Sequence, residues 1–314
     1  MAGLWRAAAI ALAGGLTVTA PLARAAPAPT NADAPMLAIT FDDLPEHGPL
    51  PPGETPLAVI TRIIAALKAA DAPPLYGFVN AGNPAESQGD AVLDAWRAAG
   101  NLLGNHSWTH ANLAQGDIAA DTDQVTRGEP VIAGKMAGED WHWFRYPFLA
   151  EGNTPEQVAG IRAILGARGY KIAGVTMSFG DYAWNAPYAR CVTKKDDAAI
   201  AKLETRYLAA ARIIAERARA MSKAATGRDI PYVLLMHVGA FDARMLPRLL
   251  QLYRTLGFKL VPLPQAEADP FYANARDLAL PGPSATLEGA LQARGLPIPP
   301  LPAAAALPDD AICA

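Results

Sequence analysis

Short apolar runs alternate with longer segments of helical period along most of the chain. The first run, residues 36–41, stops abruptly at two adjacent carboxylates, Asp42 and Asp43. An apolar run of that length without polar alternation predicts a strand buried on both faces, delivering its C-terminal end to a cleft. Residues 57–70 then show helical spacing, with Ile60, Ile63, Ile64 and Leu67 on one face. Further strands are predicted at 75–79, 101–103, 142–146, 170–175, 232–238 and 258–261. Helices are predicted between them at 90–99, 118–136, 154–169, 195–224 and 242–256, with Gly128 and Pro130 threatening to break the second. Thr154 has a capping hydroxyl, Pro155 sits at the first helical position, and Glu156 and Gln157 follow in the first turn. Strands alternating with helices argue for an α/β fold with a parallel sheet. Seven or eight such repeats suit an open or closed barrel better than a flat six-stranded sheet. Beyond Asp269 the pattern dissolves into a Pro- and Ala-rich stretch with one short helical piece near 285–293. The expected organisation is a domain over 27–270 with 271–314 as an extension packed along it.

The 314 residues, 51% of them hydrophobic, are enough for one large α/β domain or two small ones. A net charge of −3 without a basic tract argues against a nucleic-acid partner. Residues 1–26 read as a signal peptide: Arg6 supplies the positive start, 7–19 are apolar, and Ala23-Arg24-Ala25 offers small residues for cleavage. An uncleaved anchor is the alternative, and either way the remainder is expected outside the cytoplasm. No later run is long enough to span a membrane, so no integral segment is expected after cleavage. In an oxidising compartment Cys191 and Cys313 are expected to pair, though sequence carries no geometry and two free thiols stay open.

Several predicted strands end on chemistry. Two neighbouring carboxylates stay ionised together only beside positive charge, and a metal ion is the simplest partner for Asp42 and Asp43. His106 and His110, four apart after a short strand, can reach one ion from a helix or a tight turn. That spacing alone equally fits a structural pair, but the chain has only 5 histidines. Arg145 sits among apolar residues in Phe144-Arg145-Tyr146-Pro147-Phe148 and needs an anion, for which Asp42 is a candidate. Asp181, between aromatics in the loop 178–185, can orient an imidazole. His237 closes the last strong strand and points into the same cleft. Each of these has a structural alternative: a rim ion pair, a turn-capping carboxylate, a satisfied core histidine. His47 and His142 are given no role; His47 is close enough to the Asp pair to flank the cleft, but is expected at the surface.

Taken together and in this order, the strand ends resemble the polysaccharide deacetylase family, the catalytic domain of NodB-type chitooligosaccharide deacetylases and family 4 carbohydrate esterases. The resemblance runs over roughly 36–263. It implies a distorted (β/α)7 barrel and an exported hydrolase that removes acetyl groups from N-acetylated carbohydrate, peptidoglycan or chitin-like. It further implies that Asp43, His106 and His110 bind a divalent metal, zinc first, with cobalt or nickel as alternatives. Asp42 would be the base, held by Arg145, and His237 the acid, oriented by Asp181. Phe148 would stand where a backbone N–H helps bind an oxyanion, and Leu235 would line the acetyl pocket. The family usually has Gly after the Asp pair, where this chain has Leu44-Pro45. It usually has Trp after the later Asp, where this chain has Tyr182 and, two on, Trp184; both are placed at the substrate wall. The competing functions are an O-acetyl esterase and a non-catalytic glycan-binding domain. The oligomeric state is open.

Overall fold

Among the described residues seven strands, all parallel, build one sheet: β1 (Met36–Leu44), β2 (Tyr76–Val79), β3 (Leu102–Asn105), β4 (Trp143–Phe144), β5 (Lys171–Ile172), β6 (Tyr232–His237) and β7 (Lys259–Leu260). The computed structural model describes residue 1 and residues 34–82, 88–309 and 311–314. The leader expected at 1–26 therefore lies, Met1 aside, outside the described residues. The strand order is β5-β4-β3-β2-β1-β6, with β7 on the start of β1. The two ends of that path meet at a single bridge, Met177 to Leu234, beyond the end of β5. The sheet is thus a curled, barrel-like one whose last seam is almost unpaired.

The helices are α1 (Pro56–Ala69), α2 (Gly89–Ala98), α3 (Ile118–Thr126), α4 (Glu129–Met136), α5 (Pro155–Ala167), α6 (Asn185–Lys194), α7 (Asp197–Thr226) and α8 (Ala240–Thr255). Two single turns, α9 (Leu263–Ala266) and α10 (Ala273–Arg276), and the short α11 (Leu287–Ala293) follow. The capping residues act as their chemistry requires. The Thr154 hydroxyl accepts from the Gln157 N–H, and Thr55 does the same for Ala58 ahead of Pro56. The segment expected as one helix over 118–136 is two, divided at Gly128 with Pro130 in the first turn of α4. The helix expected at 195–224 has a separate helix, α6, ahead of it.

Burial on both faces of the sheet explains the uninterrupted apolar runs. On β1, Leu37, Ile39 and Phe41 join the core beneath α1, α2, α7 and α8, while Ala38 faces the inner cluster with Phe78, Phe144, Tyr170 and Val233. Residues 34–314 form one compact unit that includes the Pro-rich end. Leu287, Leu291 and Ala305 of that end are buried. Cys313 is bonded to Cys191 of α6, with Cα atoms 5.1 Å apart. Among the described residues no helix is long and apolar enough to cross a membrane.

Candidate active site

Adjacent residues of a strand point to opposite faces, yet Asp42 and Asp43 both open into one cleft. β1 shifts register against β2 between Phe41 and Leu44, and Asp43 takes a left-handed φ of 61°. This bulge turns Asp43 back to the side Asp42 faces. Leu44 then returns to the core with no exposure. On the other edge of β1, Asp42 is in register with His237 of β6, so the two side chains leave the sheet as neighbours.

His106 and His110 come off the end of β3. The spacing of four is realised by a tight turn, with φ of 66° at Ser107 and 58° at His110, and the rings lie 4.9 Å apart. Nε2 of His106 is 3.3 Å and Nε2 of His110 is 3.4 Å from Oδ1 of Asp43. The Nδ1–H of His106 donates to the Arg145 carbonyl at 2.7 Å, which leaves its Nε2 as a lone pair aimed at the carboxylate. Oδ1 of Asp43 is buried and has no hydrogen-bond partner. Acceptors facing a buried, orphaned carboxylate oxygen repel one another unless a cation lies between them. One carboxylate and two imidazoles, with all three ligand atoms within 4.8 Å of one another, form the donor set of a catalytic divalent-metal site with positions left open.

The remaining groups surround that cluster. Arg145 donates from one terminal nitrogen to both oxygens of Asp42, at 3.2 and 3.3 Å. Its other terminal nitrogen donates to Thr40 and its Nε to the Ala173 carbonyl. Each guanidinium nitrogen has an acceptor and the group is dry, so it holds the Asp42 carboxylate in one orientation. Asp181 binds His237 twice, taking the backbone N–H at 2.6 Å and Nδ1–H at 3.1 Å. Burial alone would lower the His237 pKa, but the Asp181 charge and hydrogen bond raise it to about 9. Burial would raise the Asp43 carboxyl, but the His106 and His47 imidazoles outweigh it and hold it well below the carboxylate range. Burial shifts His110 downward, toward the neutral form that a metal ligand requires.

A cleft of about 440 Å³ opens over these groups. Phe148 and Leu149 form one rim, both exposed and both at positive φ, and Tyr182 forms the other. Leu235 lies at its floor. Trp184 is not part of it. Its side chain has no exposure and packs edge-on to Tyr207, because the turn after Asp181 points it into the core while Tyr182 points out.

Two features escaped the sequence reading. His47, expected at the surface, lines the cleft and donates from Nδ1 to Oδ2 of Asp43 at 2.6 Å. Asp242, Asn185 and Tyr207 form a buried brace behind His237. Asp242 receives Asn185 Nδ2 and Tyr207 OH, both at 2.8 Å, and Asn185 Oδ1 receives the Phe241 N–H. Gly239 is glycine for the same reason, since a Cβ there would meet the Asn185 amide at 2.2 Å. Four residues after the Asp pair was the one signal available for His47. Nothing local marked Asp242, which reads as an ordinary helix-start carboxylate.

The family model "Polysaccharide deacetylase" matches residues 30–166, which contain both Asp residues of the pair, both histidines and Arg145. No curated protein matches the sequence. Among solved structures, the chain is similar to the chitin deacetylase of the fungal pathogen Colletotrichum lindemuthianum at 20% identity, over 76% of this chain and 92% of that one, with a TM-score of 0.51. It is also similar to a family 4 carbohydrate esterase from Streptomyces lividans in complex with acetate, at 19% identity over 71% and 90% of the two chains, TM-score 0.45. A third is a family 4 pseudoenzyme from Bacillus anthracis, at 15% identity over 74% and 65%, TM-score 0.49. The likeness to the fungal structure is one of fold. The segment that matches the polysaccharide deacetylase model supplies the Asp–His–His cluster and its arginine, and the curled parallel sheet carries them to one rim.

Proposed function

We propose that this chain is an exported, metal-dependent hydrolase that removes acetyl groups from N-acetylated carbohydrate, either peptidoglycan or a chitin-like glycan. One observation carries the reading: Oδ1 of Asp43 is buried without a partner and faces two histidine Nε2 atoms, beside an aspartate and a histidine in register. The mixed N/O donor set favours zinc, with cobalt and nickel as alternatives. Bound there, the ion would lower the pKa of water and polarise a carbonyl. Asp42, fixed by Arg145 and lying 3.7 Å from His106 Nε2, is placed to take a proton from water in the cleft. His237 keeps its proton at neutral pH and gives it to the departing amine. An amide nitrogen leaves poorly until protonated, which favours N-acetyl over O-acetyl substrates for a site built around this acid. Phe148 presents its backbone at the rim where an oxyanion would form, and Leu235 bounds the space for the acetyl methyl. The apolar, small-residue leader at 1–26 supports export.

The test is acetate release from N-acetylglucosamine oligomers, peptidoglycan and O-acetylated xylan, with and without chelator. Release from an N-acetylated glycan, lost on chelation and restored by zinc, is the expected result. Release only from the ester would make it an O-acetyl esterase, and no release by zinc-loaded protein would leave a binding domain.

The His237–Asp181 pair sets a pH signature. Its folded pKa lies above the unfolded 6.5, so the pair adds stability below about 6.5 and loses it as pH rises through about 9. The alkaline limb of kcat/KM follows the same proton. In Asp181→Asn that limb moves toward lower pH by a unit or more. A bound dication pulls both proteins down together, so the difference between them is the readout. An unmoved limb would mean another group supplies the proton.

A further inference from the structure

The departure from the family motif at Leu44-Pro45 and the unexpected position of His47 belong together. Leu44 is fully buried over β2, where a Cβ on Gly77 would come within 2.8 Å of its Cδ2. Its carbonyl accepts the Asn80 N–H at 3.0 Å, so the chain leaves β1 firmly held. The loop then turns back, and the His47 N–H donates to the Val238 carbonyl, one residue past His237, at 2.9 Å. This places the His47 ring 4.8 Å from the His237 ring and its Nδ1 2.6 Å from Oδ2 of Asp43. A carboxylate only accepts, so Nδ1–H is the donor. One oxygen of Asp43 is therefore occupied by His47, while the other is left for the histidine pair.

We propose that His47 is a positioning residue for the metal site: its Nδ1–H pins Oδ2 of Asp43 and so directs Oδ1, singly, toward His106 and His110. The inference rests on the metal-site reading above. A carboxylate free to rotate could turn either oxygen, or both, toward an ion, and would lose orientation on binding. A hydrogen bond that orients a ligand is typically worth about 10- to 100-fold in metal affinity.

The test is zinc binding by the full chain, measured by competition with a chromophoric chelator, for wild type, His47→Ala, His47→Asn and His106→Ala. Asn places an amide N–H where the imidazole Nδ1–H stood, so it separates the donor from the ring. Expected are one ion per wild-type chain, 10- to 100-fold weaker binding in His47→Ala, and recovery to within a few-fold of wild type in His47→Asn. Equal affinity in wild type and His47→Ala, with binding lost in His106→Ala, overturns this inference alone. Failure of Asn to recover affinity overturns it as well, because the ring and not the donor would then matter. Two ions in wild type falling to one in His47→Ala would make His47 a ligand. A wild type that binds no zinc overturns the metal site and this inference with it.

Discussion

Asp42→Asn lowers kcat by about a thousandfold while the chain still holds one metal ion. Asn has the shape of Asp but cannot accept a proton, and a positioned general base is typically worth about 10²–10⁴-fold. The ligand cluster of Asp43, His106 and His110 does not include Asp42, so occupancy is retained. The substitution has a second cost. Arg145 is buried, and Asp42 is its anion. Removing one partner of a buried ion pair typically costs about 3–5 kcal/mol, because the other charge stays dry and uncompensated. The variant is therefore expected to unfold at lower denaturant concentration than wild type. Turnover, metal content and a denaturation curve on one preparation separate the two effects. A variant of lowered stability but normal kcat would move the base to another residue.

His106→Ala is expected to lose the ion itself, with binding more than about 100-fold weaker, beyond what loss of an orienting hydrogen bond produces. In the proposed site the ring supplies one of three protein ligands, and its Nδ1–H satisfies the Arg145 carbonyl. Alanine leaves that buried carbonyl open, a further cost of about 1–3 kcal/mol. Metal content after dialysis, with circular dichroism to show that the chain is folded, is the measurement. A folded His106→Ala that retained full zinc and full activity would end the ligand assignment. The contrast between the two variants is informative: Asp42→Asn keeps the ion and loses the chemistry, whereas His106→Ala loses both.

How much of this was visible along the chain depends on the range of the interaction that decides each feature. The helices at 57–70, 90–99 and 154–169 lie within two residues of α1, α2 and α5, because spacing and capping are local. The strands expected at 142–146, 170–175 and 258–261 shrink to two residues each. A strand exists only where a neighbour is in register, and β4 meets β3 at a single residue pair while β7 meets only the first two residues of β1. Tyr182 and Trp184 were equivalent as letters, and only the turn between them decides that one rims the cleft and the other fills the core.

By itself the sequence determined the alternation of strand and helix, the order of polar residues at the strand ends, and the pairing of two histidines four apart. These follow from periodicity and from which side chains can bear charge. Only the tertiary structure decided that adjacent Asp42 and Asp43 face one cleft, that His47 returns to Asp43, and that Asp242, Asn185 and Tyr207 stand behind His237. Each of those depends on a bulge, a loop anchor or a buried hydrogen bond between segments far apart in the chain. Residue type and spacing carry no record of such contacts, because the same residues would satisfy the same local rules facing water.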